Sequence, residues 1–305
     1  MNYLYKYLPL NIFISDTLSS SLITTVFVGM TVLFFFTEAF GWIGTGIVVP
    51  GYLAPIFIIN PSSAWVIVFE AIITYLLVYF LSDVLGKRGF WAPLFGRDGF
   101  FAFVIISILV RMLFEGFILP AIGEWIVSTY SIKFDYKNNF YSLGLIVVAL
   151  LANTFWKIGL RRGLFTNTII IGLTYLIIRY ILIEYTNFSI TKFQFMYENI
   201  SLSFFSSPKS YIILVITAMI ASHFNLYYGW DSNGILLPSL LALTFIEPGK
   251  IIATFAEAVI ILSFARLILK IPIFKGLTME AGRKLFLVFF CGYILKTIIA
   301  LFFEN

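Results

Sequence analysis

Residues 41–55 read Gly41-Trp42-Ile43-Gly44-Thr45-Gly46-Ile47-Val48-Val49-Pro50-Gly51-Tyr52-Leu53-Ala54-Pro55, and this stretch decides the fold because its pattern returns twice. A strong copy runs Gly229-Trp230-Asp231-Ser232-Asn233-Gly234-Ile235-Leu236-Leu237-Pro238-Ser239-Leu240-Leu241-Ala242. It keeps the Gly-Trp pair, the second glycine five positions on, the proline and the closing Leu-Ala at matching offsets. A fainter copy spans Gly144 to Ala152, with Val148 where Pro50 and Pro238 stand, so its backbone break is lost. Each strong copy is an apolar run too short to cross a bilayer, and its glycines and proline leave amides and carbonyls unpaired by helix. Such backbone is tolerated at membrane depth only inside protein or facing a water-filled cavity. Discontinuous elements of this kind are where many transport proteins hold substrate. Gly41, Trp42, Gly46, Pro50, Gly51, Gly229, Trp230, Asp231, Asn233, Gly234 and Pro238 are therefore candidate substrate-path residues. Two tight helix hairpins that merely repeat are the alternative.

The surrounding composition fixes the class. Of 305 residues, 61% are hydrophobic and 11% charged, with a mean hydropathy of +1.00; soluble domains carry about 25% charged residues. The chain is an all-α polytopic membrane protein by this reading. Its formal charge of +5 sits in short loops between apolar runs, as orientation in a membrane requires, so nucleic acid is excluded as a partner and the lipid bilayer is the expected one. Cys291 is the only cysteine and His223 the only histidine. No internal disulfide follows, and no metal site is expected; His223 reads as interhelical polar glue. The first apolar stretch lacks a small-residue cleavage site after it and is expected to be retained.

Seven full-length spans are expected at about 18–39, 64–82, 99–120, 166–184, 209–226, 250–270 and 284–303, each near the roughly 20 residues a bilayer needs. Asp16 is placed to cap the first, near Thr17. The three motif copies lie between them as half-length elements at 43–58, 142–155 and 233–246. If these turn back, Lys87, Arg88, Arg97, Lys275, Arg283 and Lys284 share a side with Lys6 and the positive-inside rule is met. The copies are accordingly expected to be re-entrant, opening outward, with the N-terminus inside and the C-terminus outside. Lys157, Arg161 and Arg162, just after the middle copy, then fall outside against the rule. Either the middle copy crosses, or they form a basic site with another purpose. The sequons at Asn187 and Asn199 fall inside and are read as chance.

The outer copies head longer repeats. Phe69-Glu70-Ala71-Ile72-Ile73 matches Ala256-Glu257-Ala258-Val259-Ile260, and Gly96-Arg97 leading to Arg111 matches Gly282-Arg283 leading to Lys296. Three regions follow: 1–185 with the first and middle copies, a polar connection at 186–208, and a third repeat at 209–305. Ionisable residues inside apolar spans each cost about 2.5 to 3.5 kcal/mol at mid-membrane unless paired. Glu70, Arg111, Glu115, Glu257 and Lys296 are the clear cases, with Arg179 and Arg266 nearer span ends. At about 1.5 Å per residue, Glu70 and Arg111, and likewise Glu257 and Lys296, reach depths within roughly 5 Å of each other. Each repeat then holds a cross-helix acid-base pair, either bridges that pin helices or a polar pathway for an anionic or zwitterionic solute. Arg111 and Glu115, four apart, can instead pair along one helix and leave Glu70 free.

No Walker-type loop, dinucleotide fingerprint, Gly-x-Ser-x-Gly elbow or metal-ligand cluster occurs in the sequence. A self-sufficient ATP-driven enzyme is not expected, and no cofactor is.

Gly46 to Ala54, reading Gly-Ile-Val-Val-Pro-Gly-Tyr-Leu-Ala, then Gly96-Arg97, Arg111, Leu150 to Thr154, Lys157 and Gly159 resemble the small membrane subunit of bacterial poly-γ-glutamate synthases, the CapC/PgsC family. Residues 18–185 look like a whole member, although members usually carry Pro-Gly where this chain has Val148-Ala149. Residues 209–305 resemble the C-terminal part of a seven-helix membrane module found fused to inactive transglutaminase domains. The resemblance implies a non-catalytic membrane subunit that helps a separate soluble, ATP-dependent amide ligase and other synthase components make or export an anionic glutamate polymer. A secondary transporter for a small amino acid or carboxylate and a purely structural anchor are the alternatives.

Overall fold

The computed structural model describes residues 9–13, 18–42, 46, 48–86, 99–130, 141–190, 248–271 and 281–303, with scattered positions between 212 and 245. The described residues are overwhelmingly helical and include no strand; a lone bridge joins Leu10 to Thr186. In order, the helices are α1 (Leu22–Phe40), α2 (Val49–Ile59), α3 (Pro61–Gly86), α4 (Gly99–Leu113), a π turn (Phe114–Ile118), α5 (Leu119–Tyr130), α6 (Tyr141–Ile158), α7 (Leu160–Ile177), a second π turn (Ile178–Leu182), the short α8 (Ile183–Tyr185), α9 (Pro248–Leu269) and α10 (Ala281–Phe303). Among the described residues, six stretches are long and apolar enough to cross a membrane: Leu22–Phe40, Pro61–Ser82, Phe100–Thr129, Leu160–Tyr185, Pro248–Leu269 and Gly282–Phe302. The seventh expected span, 209–226, falls mostly outside the described residues.

Two compact units divide the chain, and each is discontinuous in sequence. One comprises Met1–Ile59, Thr166–Asn199 and Glu247–Asn305; the other Asn60–Phe165 and Ile200–Ile246.

In the first unit α1 is the centre. Residues 18–21 are not helical, and Ser21, not Asp16, is the cap: its Oγ accepts from the Ile23 amide at 3.2 Å. Asp16 itself lies outside the described residues. At the other end Gly41 adopts φ 63°, and its amide and that of Trp42 donate to the carbonyls of Thr37 (3.0 Å) and Phe36 (3.5 Å), a left-handed stop that suits a residue without Cβ. Trp42 then stacks back on Phe36, with centroids 4.9 Å apart, so the chain doubles back along α1. It arrives beside the helix's N-terminal half, where α2 begins. There the helices meet backbone to backbone. A Cβ on Gly51 would stand 2.3 Å from Val26 Cα, and one on Gly29 2.3 Å from the Gly51 amide nitrogen. From Val49 to Ile56 every residue of α2 is buried. Pro50 is harmless in the first turn, where the missing N–H would have no helical partner anyway.

α10 packs antiparallel on α1 through an aromatic zipper. Phe27 stacks on Tyr293 at 4.5 Å and Phe34 on Phe286 at 4.4 Å, a seven-residue step on each helix that keeps one face in register. Glu38 and Arg283 close its end with two bonds, Nε to Oε1 at 2.8 Å and Nη2 to Oε2 at 2.7 Å. The Asn187 amide is also occupied: Nδ2 donates to the Phe13 carbonyl at 2.6 Å and Oδ1 accepts from the Phe13 amide at 3.0 Å.

In the second unit α3, α4 and α6 pack around Val78, Phe103, Val104, Ile146, Ala149 and Ala152. The middle motif copy lies within α6, an uninterrupted helix whose apolar part, Ile146–Ile158, is shorter than a full span, as is Val49–Ile59. Val148 and Ala149 each bring an amide and no ring, so nothing breaks the ladder.

Candidate functional site

The second unit carries a buried charge cluster in its apolar core. Glu70 stands on α3 and is 1% exposed; Arg111 stands on α4 and is 7% exposed. Arg111 Nη1 lies 3.7 Å from Glu70 Oε2, while Nε donates to Glu115 Oε1 at 2.9 Å. Sequence had presented these pairings as alternatives, and the guanidinium engages both acids at once, one along each edge of its fork. Glu115 is the second residue of the π turn and lies four residues from Arg111, the spacing that sets a carboxylate beside a base one turn back. Single π turns inside α-helices are frequent at functional sites.

One turn beyond Glu70 on the same face, Thr74 is fully buried and its hydroxyl has no hydrogen-bond partner. Thr154, Thr174, Thr217, Thr254 and Thr297 each give theirs to the carbonyl four residues back. Thr74 does not.

The corresponding pair in the first unit is looser. Lys296 Nζ lies 3.5 Å from Glu257 Oε2, between antiparallel α10 and α9, with side chains 22% and 34% exposed. Gly292 of α10 faces Ile261 of α9 in the same interface.

Lys157, Arg161 and Arg162 form an exposed corner in sequence around Gly159, which turns the chain between α6 and α7 at φ 83°. Gly163 packs tightly there, since a Cβ on it would meet Phe155 Cδ1 at 2.6 Å. Lys157 ends α6, where the helix dipole favours a cation, but Arg161 and Arg162 open α7, where it disfavours one by about 0.3 to 1 kcal/mol. Of the motif residues, Gly41, Trp42, Gly46, Pro50 and Gly51 are described, with Pro50 and Gly51 buried against α1. Gly229, Trp230, Asp231, Asn233, Gly234 and Pro238 lie outside the described residues, as do His223, Asn199, Lys6, Lys87, Arg88, Arg97 and Lys275. The bidentate Glu38–Arg283 clamp was not anticipated. The available signal was an acid near the end of the first span and an arginine opening the last.

A family model, capsule biosynthesis CapC, matches residues 28–164 and 216–305. Among curated proteins, the chain is similar to the "Capsule biosynthesis protein CapC" of Bacillus anthracis, at 33% identity over 158 residues, 52% of this chain and 93% of that protein. It is also similar to the "PGA biosynthesis protein CapC" of Bacillus subtilis (strain 168), at 29% over 159 residues with the same coverage. No solved structure matches the chain.

Proposed function

The chain belongs to the capsule biosynthesis CapC family, and from that premise we propose that it serves a separate ATP-dependent amide ligase in building and exporting poly-γ-glutamate or a related amide-linked polymer. It is a membrane subunit of poly-γ-glutamate capsule biosynthesis, and it works with other components of the synthase. The observation that carries this reading is that about half of the chain matches nearly the whole length of both relatives.

Joining glutamates through amide bonds requires an activated carboxylate. The sequence has no Gly-rich phosphate cradle, which assigns activation to the ligase and leaves the membrane step to this chain. The seat of both is the bacterial cytoplasmic membrane, which the chain crosses several times.

A growing polyglutamate is a polyanion. The exposed corner at Lys157, Arg161 and Arg162 suits it, because several weak ammonium and guanidinium contacts guide a polycarboxylate without trapping it. Two arginines kept at a helix N-terminus against the dipole support a role outside helix stability. The first motif copy contributes differently: Pro50 and Gly51 seat α2 against α1, so the path it borders has a rigid wall.

The test is co-purification and reconstitution. The tagged chain, expressed with its neighbouring genes and extracted in mild detergent, is expected to bring down an ATP-hydrolysing amide ligase, and labelled glutamate should enter polymer only when the chain is present. Polymer formation by the ligase without this chain would overturn the reading. So would glutamate uptake by liposomes holding the purified chain alone, the transporter outcome.

A further inference from the structure

The Arg111 cluster holds more acid than base. Glu70 and Glu115 both face one guanidinium, and Glu70 is almost wholly inaccessible. Two ionised carboxylates would leave a net negative charge in the apolar interior of the unit. A buried group in that position neutralises instead of remaining charged, and two like charges sharing a site favour a proton on one of them.

Among the described residues, the neighbouring helices bring no compensating charge to that depth. The titratable residues of α6 are Tyr141 and Lys157, at its two ends, and Ile146 to Ala149 between them are apolar and buried. Tyr75 and Tyr79 of α3 turn to the α6 rings of Phe155 and Trp156. Described positions between 212 and 220, which pack on this core through Val215, carry no titratable side chain.

We propose that Glu70, set against Arg111 in the buried cluster, holds an exchangeable proton, making the α3–α4 interface an intramembrane proton-binding site. Two details of geometry support it. Glu70 Oε2 sits 3.7 Å from Arg111 Nη1, outside hydrogen-bond range, and has no hydrogen-bond partner among the described residues. The Thr74 hydroxyl, one turn on, is equally without one. A protonated Glu70 gains a donor on the face where Thr74 supplies an acceptor, whereas an ionised one leaves the carboxylate oxygen without a bond.

The inference rests on the chain being a membrane protein and not on its role in polymer export, and the experiment uses neither ligase nor polymer. The full chain in lipid nanodiscs is followed by pH-difference infrared spectroscopy from about pH 5 to about pH 9, a range in which ordinary carboxyls are already ionised at the upper end. The wild type is expected to show the stretch of one protonated carboxyl at neutral pH that disappears on alkalinisation. Glu70→Gln and Glu115→Gln should each abolish it, because either leaves one acid to one base. Glu257→Gln should leave it intact. Should Glu70→Gln fail to fold, Glu115→Gln alone decides. Absence of the band from the wild type, or its survival in Glu115→Gln, would overturn the proposal.

Discussion

The α3–α4 and α9–α10 interfaces set an acid against a base at matching places in sequence, yet they are built differently. Around Glu70 and Arg111 a third helix, α6, completes the packing and the pair is nearly inaccessible. Glu257 and Lys296 remain between a fifth and a third exposed. The same chemical pairing therefore has different energetics. A deeply buried pair is expensive to break because the survivor is stranded; a half-exposed pair relaxes toward water or a headgroup.

The largest expected effect is that of Arg111→Ala. It removes the base that the two acids Glu70 and Glu115 face, stranding the negative charge of the cluster, and should destabilise the protein by about 3 to 5 kcal/mol, read as loss of folded protein in detergent by thermal unfolding. A variant as stable as wild type would show that the cluster is not a structural charge pair.

Gly51→Ala should follow, at about 1 to 3 kcal/mol, since its Cβ would enter the space of Val26 Cα and neither backbone can yield. Lys296→Ala is expected to cost about 1 kcal/mol or less, as for other exposed pairs. A loss equal to that of Arg111→Ala would collapse the contrast between the two interfaces. Smallest is Gly292→Ala, where the added methyl meets only the mobile end of Ile261 at 3.3 Å; the change should stay within about 0.5 kcal/mol. Replacing Lys157, Arg161 and Arg162 together by glutamine should leave stability unchanged within that margin. It should shorten the polymer or lower its yield, with a defect that depends on ionic strength. Normal polymer from that triple variant would remove the corner from the path.

Much of this was legible in sequence, because hydrocarbon selects on one-dimensional properties. Apolar runs mark the spans, and a charge within one is costly enough that counting residues from each end brings Glu70 to the depth of Arg111. What escaped depends on the third dimension. Nothing in periodicity reveals that Gly29 and Gly51 meet, since a glycine looks alike in a tight crossing and in open space. Spacing offered Arg111 two acids as alternatives; that it serves both depends on where its guanidinium lies between α3 and α4. α6 is the instructive case: Val148 stands where Pro50 and Pro238 stand in the other copies, the loss of the break was legible in sequence, and the helix runs through it without interruption.

The seating of α2 has a consequence for how the protein is made. An 11-residue helix is too short to be inserted as a span in its own right. It can reach its buried position only after α1 is in the bilayer to receive it. The close approach at Gly29 and Gly51 therefore belongs to a late step of biogenesis, and an alanine at either position would first be felt as delayed assembly, leaving a half-inserted chain open to membrane proteases.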